Sequence, residues 1–394
     1  MAAITKRGNT YRIKVSCGYS VDGKQVVQSM TWKPEENMTV KQIEKELNRQ
    51  AVLFEQDCKK GQVTSSVKFE TFAEQWIDEY AKPNMRQTSY EKQLLLRRRV
   101  YPEIGHLRLD KVTSRHIQLF FNKLTQNTVS ETTGKPLAPM TIRHYYSFIN
   151  GVLDYAVKMA LIYENPCSGG RISLPKLEKK EKQIYTIEET ARFMSLLSNE
   201  PLKYRVFFNL ALNSGFRRGE LMGLEWKDID FDNCVIRISR TSLYTPSKGT
   251  FTDTTKTPKS KRSMKFPPHV MDLLREYKAE QDGEREQLGS KWEEHDRLFV
   301  KWNGVPMHVN TPYDWLEVFC QRNGLPFYGI HQYRHLFASL LFRGGLDVVS
   351  VSGALGHANP NVTLGVYSHF FNETQDRIVD TISNALNFTQ SGKQ

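Results

Sequence analysis

The spacing of apolar residues changes character along this chain, and each change falls at a run of small or charged residues. In residues 11–17, Tyr11, Ile13, Val15 and Cys17 alternate with Arg12, Lys14 and Ser16, the period of a half-buried strand. From residue 67 the period becomes helical, with Phe69, Phe72, Ala73, Trp76, Ile77 and Tyr80 on one face. Past residue 177, helical and strand-like stretches mix. Such a chain can be neither one sheet nor one bundle. Residues 61–66 are small and polar, while Ser168-Gly169-Gly170 and the charged residues 178–182 read as a linker. These breaks predict three modules, 1–66, 67–176 and 177–394, in line with roughly 100–200 residues per domain.

Several classes are excluded by composition. With 39% apolar and 11% aromatic residues the chain can bury real cores, which argues against wholesale disorder. No run of 18 apolar residues exists, so no membrane span is expected, and the first residues lack the apolar stretch of a secretory leader. Cysteines 17, 58, 167, 234 and 320 are scattered and form no C-x-x-C, which suits reduced thiols in a cytoplasmic protein. The net charge of +12 is uneven. Residues 1–66 hold 11 Lys/Arg against 7 Asp/Glu, residues 67–176 hold 16 against 10, and the rest 28 against 26. A polyanionic partner therefore belongs mainly to the first two modules.

The first module reads as three short strands, with turns at Gly8-Asn9 and Asp22-Gly23, followed by a helix over residues 41–59. Ile43, Leu47, Ala51, Phe54 and Cys58 face the sheet, and Arg12, Lys14 and Lys24 occupy its polar side, as in sheets that enter a DNA groove. The second module predicts four helices. The first breaks at Pro83-Asn84, the second carries Arg97, Arg98 and Arg99 through Tyr101, and Thr113 or Ser114 caps the third. The fourth, residues 140–159, places Arg143 near its start and turns Tyr145, Phe148, Val152 and Tyr155 inward. In the third module Thr186 and Glu189 form a capping-box pattern, a helix covers residues 202–213, and two to three strands fall within residues 235–266.

Neither a Walker A nor a G-x-G-x-x-G sequence occurs, and there is no H-E-x-x-H. Asp228, Asp230 and Asp232 imitate the opening of a calcium loop, yet Asn233 and Ser239 stand where glycine and glutamate are required. No metal site or cofactor is expected. What remains is a set of basic groups and a tyrosine. Arg217 and Glu220 in Ser-Gly-Phe-Arg-Arg-Gly-Glu-Leu lie three apart and can pair. Lys256 sits in Thr-Lys-Thr-Pro-Lys-Ser-Lys-Arg, His331 and Arg334 form His-x-x-Arg, His357 ends Leu-Gly-His, and Tyr367 follows ten residues later.

In this order the residues resemble the tyrosine recombinase, or phage-integrase, family, most of all integrases of conjugative transposons and temperate phages. The resemblance implies a multidomain fold: a three-stranded arm-binding sheet, an all-α four-helix core-binding domain, and a mainly α catalytic domain with a small antiparallel sheet. It implies that Arg217 and Arg334 clamp a phosphodiester, that Tyr367 attacks it with His331 as proton acceptor, and that Lys256 is the general acid. His357 would hydrogen-bond the phosphate, with Glu220 in support. A 3′-phosphotyrosyl intermediate would need neither metal nor ATP. Further implied are double-stranded DNA with core and arm sites, a homo-tetramer on synapsed DNA, an excisionase or DNA-bending protein as helper, and a cytoplasmic, nucleoid-associated location. The helical pattern of residues 373–388 would dock on a neighbouring protomer or on its own domain. Two other readings share parts of this pattern: a DNA-relaxing enzyme of the type IB topoisomerase kind, and an inactive DNA-binding regulator.

Overall fold

The computed structural model describes residues 2–19, 25–35, 38–59, 67–126, 128–131, 133–177, 183–254, 261–357 and 359–367. The chain divides into two compact units, Met1–Lys179 and Lys180–Gln394. In the first, strands β1 (Ala3–Arg7), β2 (Thr10–Tyr19) and β3 (Gln25–Trp32) form an antiparallel sheet in the order β1-β2-β3. The register sets Ile13 opposite Ile4 on one side and Met30 on the other. Helix α1 (Val40–Lys59) lays Leu47 and Ala51 on Ile13, flanked by Tyr11, Met30, Trp32 and Phe54. Its start is fixed reciprocally, Thr39 N–H donating to Gln42 Oε1 at 2.9 Å and Gln42 N–H to Thr39 Oγ1 at 3.4 Å. Strand alternation then leaves Lys14 exposed and Arg12 half-buried, its Nη2 donating to Ser29 Oγ at 3.1 Å. The turn expected at Asp22-Gly23, Lys24 and the break at residues 61–66 lie outside the described residues.

The helical part of this unit has α2 (Phe69–Trp76), α3 (Lys82–Asn84), α4 (Gln87–Val100), α5 (Ser114–Gln126) and α6 (Pro139–Lys158). Its core gathers Phe69, Trp76, Phe121, Phe148, Val152 and Leu153. The first helix ends at Pro83-Asn84 as expected, with Met85 extended, but the chain reaches that end from α2 through a π-helical turn, Ile77–Ala81, and α3. Pro83 has no N–H to return one turn back, and the wider turn, in which Lys82 N–H bonds Ile77 O, absorbs the defect. Tyr80 consequently sits at the rim, 38% exposed, packed on Trp76 and Tyr155. Likewise α4 stops at Val100 and a second π-helical turn, Tyr101–Gly105, carries Pro102. Thr113 is the cap of α5, accepting from His116 N–H at 3.3 Å.

The second unit runs α7 (Ile187–Leu197), α8 (Leu202–Ser214), α9 (Arg218–Met222), strands β4 (Ile229–Asp230), β5 (Val235–Ile238), β6 (Arg240–Thr245), β7 (Gly249–Thr254) and β8 (Arg262–Lys265). Helices α10 (Pro268–Leu288), α11 (Thr311–Asn323), α12 (His331–Arg343), α13 (Val348–Leu355) and α14 (Pro360–Tyr367) follow. Thr186 and Glu189 make the expected capping box on α7. Among the described residues of 235–266 there are four strands, not two or three, and with β4 they form two ladders, β4-β5-β8 and β6-β7. The excess strands carry polar inner positions, Ser242 and Thr245, which give no apolar period to read. The core is aromatic, with Phe193, Phe207, Phe208, Phe299, Phe319 and Tyr333 fully buried. Asp228 is occupied by Arg240 and by Glu225 N–H, and Asp230 accepts from Asn233 N–H at 3.1 Å, so both aspartates hold turns. Among the described residues no helix is long and apolar enough to cross a membrane, and no acidic, histidine or cysteine cluster could hold a metal ion.

Candidate active site

Helix α8 ends where Ser214 Oγ bonds back to Leu210 O at 2.5 Å and Gly215 turns left-handed with φ +58. A Cβ at Gly215 would stand 2.6 Å from Phe337 Cδ1, so both conformation and contact require glycine there. The turn delivers Phe216 into the core and Arg217 to the start of α9. Arg217 N–H donates to Glu220 Oε2 at 3.0 Å, and its Nη1 donates to Glu220 Oε1 at 2.7 Å. The expected pairing is therefore present, and it uses both carboxylate oxygens. Arg217 remains 39% exposed at its side chain, Glu220 only 4%. Its neighbour Arg218 feels Asp314 and Tyr313 instead.

Arg334 is one turn into α12 and 3% exposed. Its Nη1 donates to Gly215 O and its Nη2 to Leu355 O, both at 2.7 Å. The guanidinium thus ties the turn before Arg217 to the turn before His357. That stapling role is invisible in a His-x-x-Arg string, because both acceptors are backbone carbonyls distant in sequence. His331, the first residue of α12, is exposed, and its ring meets that of buried His335 edge-on with centroids 5.0 Å apart.

Gly356 closes α13 with φ +65 and hands on His357. His357 Nδ1 lies 2.7 Å from the hydroxyl of Thr363, which is fully buried in α14. Burial first, then the charges of Arg334, Arg217, Arg262 and His331, depress the His357 pKa to about 4. The imidazole is therefore neutral near pH 7. Those same electrostatic partners show which basic side chains the fold brings together. Arg217, His331, Arg334 and His357 converge, and Arg262 joins them from β8. Burial tends to raise the Glu220 carboxyl, but the Arg262 charge and hydrogen bond, with the Arg217 N–H and charge, outweigh it and hold it below the usual range.

Tyr367 is the last residue of α14, four residues after Thr363. Lys256 and residues 373–388 lie outside the described residues. Of the basic residues assigned to DNA, Arg97 pairs with Glu74 at 2.6 Å, and Arg99 donates to Glu131 at 3.0 Å and Val129 O at 3.2 Å. Arg143 donates to Pro175 O at 3.2 Å, while Arg98 is exposed. Two site residues escaped the sequence reading, Arg262 and Thr363.

Residues 179–374 match the phage integrase family, and residues 68–125 match the phage integrase N-terminal SAM-like domain. The chain is 29% identical over 297 residues to a tyrosine recombinase XerC-like protein of Caldanaerobacter subterraneus subsp. tengcongensis, covering 72% of this chain and 73% of that one. It is 26% identical over 279 residues to the ICEBs1 integrase of Bacillus subtilis, covering 71% and 72%. The Tn1549 transposon integrase, solved in complex with a circular intermediate DNA, shares the fold with a TM-score of 0.65 at 19% identity, over 79% of this chain and 100% of that one. A lambda integrase dimer bound to a COC′ core site gives 0.51 at 15% identity, over 75% and 94%. Both family segments fall on the helical and mixed parts described above, and the chain belongs to the tyrosine recombinase, or phage integrase, family.

Proposed function

We propose that this chain is a site-specific DNA recombinase that integrates and excises a mobile genetic element. The observation that carries the reading is the convergence of Arg217 and His357, each following a turn tied by Arg334, with His331 and Arg334 of α12, and α14 ending at Tyr367. A phosphodiester is an anionic, poor electrophile, and attack concentrates charge on its non-bridging oxygens. Guanidinium groups bind phosphate oxygens bidentately, and Arg217 and Arg334 stabilise those oxygens. Neutral His357 is assigned the tautomer with Nε2 protonated, in which Nδ1 accepts from the Thr363 hydroxyl 2.7 Å away and Nε2–H donates a hydrogen bond to the phosphate. The Tyr367 phenol passes its proton to His331 as its oxygen bonds phosphorus. The phosphorus–O5′ bond breaks, and Lys256 protonates the leaving oxygen. The 5′ hydroxyl of a partner strand reverses these steps, so the energy of the broken bond is retained and neither metal nor ATP is consumed.

Residues 1–66, 67–176 and 177–394 then serve as arm-binding, core-binding and catalytic domains. Strand exchange between two duplexes calls for four protomers, so a homo-tetramer on DNA is the working form, with an excisionase or DNA-bending protein setting direction in the bacterial cytoplasm. The test is trapping. Incubation with duplex spanning the joined ends of the element is expected to give a denaturant-resistant adduct, absent in Tyr367→Phe with DNA binding retained. Sequencing the trapped DNA maps the cleaved phosphate. An adduct in Tyr367→Phe at the wild-type level would refute the assignment. Relaxation of a plasmid lacking the element's ends would favour the topoisomerase-like reading.

A further inference from the structure

Arg262 opens β8, six residues after Lys256, and three parts of the site meet at its guanidinium. Nη2 donates to Glu220 Oε2 at 2.9 Å. The group lies over the Phe216 ring, 4.7 Å from its centroid. Gly356 leaves room for it, since a Cβ there would stand 2.7 Å from Nη1. The Arg262 side chain is 8% exposed, against 39% for Arg217. One buried carboxylate is thus held between two guanidiniums, a buried one on Oε2 and an accessible one on Oε1.

The arrangement answers a difficulty in the Arg217–Glu220 pair. A carboxylate that fixes Arg217 also neutralises it, and so competes with an incoming phosphate for its charge. A second cation on the same carboxylate removes that competition: the group Arg262–Glu220–Arg217 carries one net positive charge and the carboxylate keeps its grip. Stacking on Phe216 and the close fit at Gly356 add to the hold on Arg262. We infer that Arg262 is a positioning residue for strand cleavage, which acts through Glu220 to orient Arg217 and keep that corner of the site net positive. The inference rests on the recombinase reading and deepens it.

The experiment compares full-length wild type, Arg262→Met, Arg262→Lys, Glu220→Gln and the Arg262→Met/Glu220→Gln double variant. The probe is duplex spanning the joined element ends, made with an ordinary scissile phosphate or with sulfur at the 5′-bridging position. Sulfur leaves without protonation, so it rescues a leaving-group defect but not a misplaced arginine. Arg262→Met is expected to slow single-turnover adduct formation about tenfold to a hundredfold on both probes, with DNA affinity unchanged. The double variant should fall no further than the worse single one, because both act on Arg217. Arg262→Lys, which keeps the charge but loses the planar fork, should recover part of the rate, and it carries the comparison if Arg262→Met does not fold. Wild-type rates in Arg262→Met overturn the inference. So does full rescue by sulfur, which would place Arg262 on the Lys256 side of the reaction, or a rate loss that disappears well below the melting temperature. A wild-type chain that forms no adduct on either probe refutes the recombinase reading itself.

Discussion

Replacing Thr363 with valine removes one hydroxyl and almost no volume, from a side chain with no exposed surface. The lost group lies 2.7 Å from His357 Nδ1. A buried polar group stripped of its hydrogen-bond partner costs about 1–3 kcal/mol. The imidazole is only partly buried, so water replaces some of the bond and the lower end applies. For the second unit, residues 180–394, about 1 kcal/mol corresponds to a melting temperature about 2–4 °C lower. The catalytic effect is separate. Without the hydroxyl the bond to Nδ1 that favours the assigned tautomer, Nε2 protonated, is lost, and the ring can turn about its χ2 axis. A loss of about 1.4 kcal/mol in transition-state stabilisation is a tenfold slower step.

The assay is single-turnover formation of the Tyr367 adduct at saturating protein, beside a thermal melt of the same sample. Thr363→Val is expected to cut the rate about tenfold with unchanged DNA affinity, and Thr363→Ser, which restores the hydroxyl, to recover most of it. A valine variant that melts lower but cleaves at the wild-type rate would refute the reasoning, since Thr363 would then serve folding alone.

The depressed pKa of His357 makes two further predictions. From pH 6.5 down to about 4 the unfolded chain protonates this histidine while the folded chain does not, so its contribution to stability falls as pH drops through that window. Comparing urea midpoints of wild type and His357→Asn across the window should show a shallower acid decline in the variant, and parallel curves would contradict it. By the same logic, adduct formation should show no limb from His357 ionisation above about pH 5. In the first unit, Arg98→Ala should leave the melting temperature unchanged and reduce the slope of log affinity against log salt by about one. Arg97→Ala instead breaks the 2.6 Å pair with Glu74, and its melt should move before its salt slope does.

Residues that act through their immediate neighbours in sequence were legible beforehand. The capping box at Thr186 and Glu189 closes within one turn, and so does the Arg217–Glu220 pair; both follow from spacing alone. The β2 alternation gave the sheet face that α1 covers, because strand geometry turns every second side chain to the same side. Even the strand count failed for a local reason, the polar residues buried in β6. Arg262 is different in kind. It is one of six Lys and Arg residues in positions 248–265, and nothing in that run distinguishes it. Its importance comes from the antiparallel register that sets it opposite Ile238, and from a carboxylate 42 positions earlier. Thr363 is likewise one more polar residue on a short helix until the turn at Gly356 brings His357 back against it. Arg334 lies between these cases. Its position suggests the charge it carries, while its bonds to Gly215 O and Leu355 O show that the same guanidinium holds the site together. Losing Arg334 should therefore cost folding as well as chemistry, because two buried carbonyls lose their donor. Losing the more exposed Arg217 should cost chemistry first.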